Sequence, residues 1–124
     1  MKEVVVAFLG GGTGTVLRYW LSGALYRYCA PTFPVGTLVV NVTGCLIIGL
    51  FMAVFEERFL VQPLLRVFLT IGVLGGFTTF STFSYETIAL LRDGSVLFAS
   101  LNILLSLLGC LCGTWVGMVL GRLV

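Results

Sequence analysis

Twelve consecutive residues set the chemistry to be explained: Gly75-Gly76-Phe77-Thr78-Thr79-Phe80-Ser81-Thr82-Phe83-Ser84-Tyr85-Glu86. Paired glycines and clustered β-branched hydroxyl residues are poor helix formers. They nevertheless sit near the middle of a hydrophobic run that otherwise suits a helix. If the chain unwinds there, the freed carbonyls need partners in protein, water or an ion. An unwound segment of that kind is a natural cation site built from backbone oxygens. The alternative is an intact helix whose serines and threonines bond back onto their own carbonyls.

Phe77, Phe80 and Phe83 recur in steps of three, so they drift slowly around one side of a helix. Ser81, Thr82 and Ser84 lie among them. An aromatic ring has a positive edge; ring edges and hydroxyl hydrogens together make a weakly positive lining without a fixed charge. Such a lining suits an anion that must move on, although aromatic residues in a membrane helix also simply pack. Asn41 brings a carboxamide to the middle of another apolar run, with Thr37 one turn earlier. It faces either a cavity or a neighbouring helix that it hydrogen-bonds. Further on, Asn102, Ser106, Cys110 and Thr114 form a ladder of small polar groups at spacing four, able to line a conduit or to back-bond. Gly109, Gly113, Gly117 and Gly121 share that spacing and read as a groove for close helix contact. Arg18 can snorkel to the interface or draw anions to a vestibule. Glu86 is either a rim charge or a functional one.

These residues need elements to hold them, and the composition says which. Of 124 residues, 59% are hydrophobic and 10% charged, far fewer charges than the ~25% of soluble domains. The net charge of +2 is too small and scattered for nucleic acid. Histidine is absent, which excludes imidazole catalysis or ligation. Charge-free runs extend over Tyr28–Phe55, Val67–Tyr85 and Gly94–Gly121, and Val4 to about Tyr26 is apolar apart from Arg18. Each is long enough for one crossing, which takes ~20 residues. The first is too long for a cleaved signal and lacks a small-residue cleavage site. The sequence therefore predicts an all-α integral membrane protein of a single domain, with spans at about 4–26, 35–55, 64–91 and 95–121. Helices are required because a lone span must satisfy its own backbone.

The connections are short. Tyr28 to Pro34 carries two prolines, Glu56-Glu57-Arg58 with Gln62-Pro63 is polar, and Arg92-Asp93-Gly94 is a tight loop. Pro63 suits the first turn of the next helix. With both termini on one side, Lys2, Arg58, Arg66 and Arg122 flank that side and Arg27 and Arg92 the other. That is a weak positive-inside bias, compatible with insertion in either orientation. Cys29, Cys45, Cys110 and Cys112 form neither a redox nor a zinc pattern and read as packing residues. The segment Val4 to Gly14 imitates a dinucleotide-binding loop, but Leu17 stands where the third glycine belongs. In a membrane helix these glycines permit close packing instead.

Taken together, Gly12-Thr13-Gly14 with Arg18, Gly36-Thr37-Leu38 with Asn41, and the Gly75–Ser84 motif with Glu86 resemble the Fluc (CrcB-type) fluoride channels along the whole chain. The resemblance implies an antiparallel, dual-topology homodimer in the bacterial inner membrane, with two pores, exporting fluoride passively and lowering its cytoplasmic toxicity. It implies that Phe80 and Phe83 turn ring edges to fluoride, that Asn41 donates a hydrogen bond, and that Ser81 and Thr82 add hydroxyl contacts. Thr37 joins that strip, and Ser106, Cys110 and Thr114 match the family's polar row on the fourth span. Cys110 stands where a hydroxyl is expected, and a thiol is a weaker donor. Gly75 and Thr78 would give carbonyls to a central sodium ion that is structural and not transported, with Arg18 near a vestibule and Glu86 near a pore end. A dimer is also physically sensible, since so few helices enclose a water-filled pore poorly.

Other functions fit less well. A small multidrug-type proton-coupled exporter needs a titratable group deep in the membrane, and the first span holds Arg18 and no carboxylate. An enzyme would need a nucleophile with a base or a metal cluster, which these residues do not supply. A third possibility is a purely structural membrane subunit with no transport, which tight fluoride-loaded liposomes would favour.

Overall fold

The computed structural model describes residues 1–29, 32–57 and 62–123. Helix α1 spans Lys2–Tyr28, α2 Val35–Glu57, α3 Pro63–Arg66, α4 Gly75–Phe77, α5 Phe80–Arg92 and α6 Val96–Arg122. A π-helical stretch, Val67–Leu74, joins α3 to α4. Among the described residues, four helical segments are long and apolar enough to cross a membrane, the third being the composite Pro63–Arg92. At ~1.5 Å per residue, even the shorter ones exceed the ~30 Å hydrocarbon core.

The helix ends follow the local chemistry. Pro63 occupies the first turn of α3 behind Gln62, where its missing N–H costs nothing. Gly94 takes φ 75° between α5 and α6, a left-handed conformation that glycine adopts freely. Helix α2 runs through Glu57, so the helix continues into the polar segment Glu56-Glu57. Arg58 and Pro31 lie outside the described residues.

Packing is by backbone approach, the mode available where lipid removes the hydrophobic drive between helices. Helix α1 rests on the third crossing. A Cβ on Gly10 would stand 2.7 Å from the Phe68 carbonyl oxygen, and one on Gly14 would strike the Val73 carbonyl. A Cβ on Gly11 or Gly12 would meet open space, so in that cluster only Gly10 and Gly14 require the absence of a side chain. The most extensive contact pairs α2 with α6. Gly113, Gly117 and Gly121 lie against Val42, Leu46 and Leu50, as the spacing of four predicts, and Gly49 abuts the Thr114 carbonyl. The outward faces are apolar, with Phe8, Trp20, Leu111 and Trp115 largely exposed.

Candidate functional site

The third crossing breaks, but over a shorter length than its sequence suggests. Gly75 and Gly76 are helical, and Thr78 (φ −80°, ψ 157°) and Thr79 (φ −152°, ψ 114°) are extended. The glycines are used otherwise: Gly76 rests on the Gly11 carbonyl of α1. Only the hydroxyl pair leaves the helix.

The break is held by compensating bonds. Thr79 N–H donates to Asn41 Oδ1 at 2.8 Å, and Asn41 Nδ2 donates to the Thr79 carbonyl at 3.0 Å. One carboxamide thus serves both polar groups of one extended residue. Thr79 Oγ1 accepts from Thr82 N–H at 3.2 Å and caps α5, satisfying one of the unpaired donors of a helix start. Thr79 Oγ1 also lies 3.0 Å from Thr82 Oγ1 and 3.2 Å from Ser81 Oγ. Because Thr79 N–H turns to Asn41, the Gly75 carbonyl loses its helical donor. Thr78 keeps its own N–H bond to Leu74 while Arg18 Nη1 approaches the Thr78 carbonyl at 3.4 Å.

Two cavities meet at this break, and Thr79 lines both. The larger, about 440 Å³, takes in Asn41, Cys45, Gly75, Thr78, Phe80, Phe83, Ser106 and Cys110. Phe80 and Phe83 stand with ring centroids 5.3 Å apart at 46°. Phe83 is buried, whereas Phe80 is 74% exposed on the side of the chain. The smaller cavity, about 280 Å³, holds Arg18, Thr37, Thr82 and Glu86. There Glu86 Oε1 accepts from Thr37 Oγ1 at 2.9 Å and from Tyr26 Oη at 3.0 Å. Glu86 Oε2 is buried and meets no donor among the described residues. Arg18 turns inward to this cavity rather than out along the interface.

Most of the residues singled out from sequence therefore gather around one break, though not all in one way. Asn41 spends one of its amide hydrogens on Thr79 and keeps a second. Ser81 is exposed beside Phe80. Asn102 is fully buried and donates to Thr87 Oγ1 at 2.9 Å, tying α6 to α5 and holding no place in either cavity. Ser106 and Cys110 do line the larger cavity, while Thr114 sits farther along α6, against Gly49. Thr79 and Tyr26 carry site geometry without having drawn attention in the sequence. Thr79 was hidden among similar hydroxyls, and Tyr26 resembles the aromatic residues that edge any membrane helix.

A family model described as "CrcB-like protein, Camphor Resistance (CrcB)" matches residues 5–118. The chain belongs to the CrcB family. It is similar along its whole length to a "Fluoride-specific ion channel FluC" of Geotalea daltonii, 49% identical over 124 residues and covering all of both chains. A protein of the same name from Geobacter sulfurreducens is 49% identical over 122 residues, 98% of each chain. Another from Flavobacterium psychrophilum is 44% identical over 122 residues, again 98% of each. The match spans all four crossings, so the break, its Asn41 brace and both cavities lie inside the shared CrcB region.

Proposed function

We propose that this chain is a passive, fluoride-selective ion channel of the bacterial inner membrane, working as an antiparallel dual-topology homodimer with two pores. Membership of the CrcB family and relatives named as fluoride-specific channels support the ion and the activity. Channel conduction, with no bond made or broken in the ion, removes any need for an enzyme's nucleophile. The observation that carries the reading is the broken third crossing with two cavities meeting at Thr79.

Fluoride is small and strongly hydrated, so donors along the path must replace its water. In the smaller cavity Arg18 supplies positive potential, while the Tyr26 and Thr37 hydroxyls stand beside Glu86 at the pore end. Thr82 and Ser81 offer hydroxyls at the break. Beyond it, Phe80 and Phe83 present ring edges, Asn41 its free amide hydrogen, and Ser106 and Cys110 the polar wall, with Thr114 continuing that row on α6. None of the ring or hydroxyl donors carries a full charge, so the anion is held loosely enough to leave.

The exposure of Phe80 and Gly75 on the flank of the chain supports a second copy completing the wall. A structural sodium fits the donor set: the Gly75 carbonyl has lost its helical partner, and hard cations take oxygen ligands. Gly75 and Thr78 carbonyls from two antiparallel copies would hold it. It would fix the two breaks against each other and would not travel.

The test is efflux from fluoride-loaded liposomes containing the purified protein, followed with a fluoride electrode. Fluoride release without a pH gradient and with chloride retained is the expected result. Release that strictly follows a proton gradient would establish an exporter instead, and tight liposomes a structural subunit.

A further inference from the structure

Cys45 on α2 and Cys110 on α6 both line the larger cavity, on helices that pack closely at this level. Both are free thiols. A Cβ on Gly109 would stand 2.9 Å from Val42 Cγ2, and one on Gly113 3.1 Å from the Val42 carbonyl oxygen. The helices that carry the two sulfurs thus meet through glycine on both sides of Cys110. Around the pair the lining is largely apolar, with Ile48, Leu74, Leu107 and Leu111. Nothing in the conduction path described above uses Cys45.

We infer that Cys45 and Cys110 form a two-thiol site for a soft divalent d10 cation, which plugs the cavity and stops conduction. Thiolates select soft metals, whereas hard cations prefer oxygen. On binding, each S–H bond breaks, each sulfur forms a bond to the metal, and both protons leave to water. No electron is transferred. A divalent ion between two thiolates leaves no net charge, which matters where a charge in the membrane interior is costly. A single thiol would leave the complex cationic, so the pair binds far better than either sulfur alone. The block rests on the channel reading above; the binding does not.

The experiment uses mercuric ion on the full chain carrying Cys29→Ser and Cys112→Ser, which removes the thiols outside the cavity. Expected are one mercury per chain, a thiolate-to-metal absorbance band, and a fluoride efflux block that excess dithiothreitol reverses. Adding Cys45→Ser or Cys110→Ser should abolish the bis-thiolate band and raise the half-blocking concentration at least tenfold, each variant scaled to its own metal-free rate. Cys45→Ala and Cys110→Ala repeat the measurement where serine disturbs folding. Unchanged binding in either single variant would overturn the site. Mercury held by both thiols with efflux untouched would overturn the plug while leaving the channel reading intact.

Discussion

Replacing Asn41 with valine tests whether one side chain holds the third crossing open. The substitution keeps a similar volume and removes both bonds to Thr79, at 2.8 and 3.0 Å. Thr79 is only 8% exposed, so water does not readily replace them. An unsatisfied buried polar group costs ~1–3 kcal/mol, which for an N–H and a carbonyl gives an upper range near ~6 kcal/mol. Hydrogen bonds within membrane proteins average only ~0.6 kcal/mol, because the reference state finds other partners. Here an alternative also exists: Thr79 N–H can return to the Gly75 carbonyl if the helix rewinds. Rewinding would itself displace the Thr79 cap of α5, ~1 kcal/mol, so it lowers the loss without removing it. The expected loss is about 2 kcal/mol, between these bounds. Equilibrium unfolding of Asn41→Val against the parent in one detergent measures it. A difference below ~0.5 kcal/mol, the scatter of neutral surface changes, would refute the brace.

Other outcomes follow from the same geometry. Gly14→Ala should destabilise by ~1–3 kcal/mol through overpacking, because its Cβ strikes the Val73 carbonyl, while Gly12→Ala, which faces open space, should be neutral in the same unfolding assay. Thr79→Val should lose the α5 cap and ~1 kcal/mol, and equal stability would show the hydroxyl to be dispensable. Phe80→Ile and Phe83→Ile should each lower liposomal fluoride flux at least ~10-fold, or ~1.4 kcal/mol, with assembly retained on size exclusion; unchanged flux in both would remove the rings from the path. Replacing sodium with a large organic cation should weaken the dimer or stop conduction, and full activity in sodium-free buffer would count against the central ion.

The fold is legible from this sequence because the membrane leaves so few options. Uncharged runs of about 20 residues become helices, and the glycines at spacing four on α6 meet α2 as that spacing predicts. The site is legible in its membership more than in its wiring. Propensity marks Gly75 and Gly76 as the weak point, yet both stay helical; Gly76 rests on the Gly11 carbonyl of α1, whereas Gly75 is exposed. The chain opens instead at Thr78 and Thr79, where Asn41, 38 residues earlier, supplies replacement bonds. A partner that distant leaves no periodic trace. The same holds for Asn102, whose spacing groups it with Ser106 and Cys110 but whose amide is committed to Thr87. Spacing gives the face of a helix and not what waits opposite it.

In the proposed channel, the broken third crossing rather than any charged residue would organise the path. Arg18 and Glu86 share the smaller cavity, so the field of one partly offsets the other. Neither lines the larger cavity. Thr79 lines both spaces, with its amide and carbonyl already engaged by Asn41. Its backbone therefore presents no bare donor, and what remains beside it is the Thr79, Ser81 and Thr82 hydroxyl cluster, whose hydrogens can turn. A hydroxyl that rotates gives up one acceptor to serve another at little cost. Under the proposed function, an anion would pass from Arg18's side of the break to the ring edges of Phe80 and Phe83 by way of these turning hydroxyls.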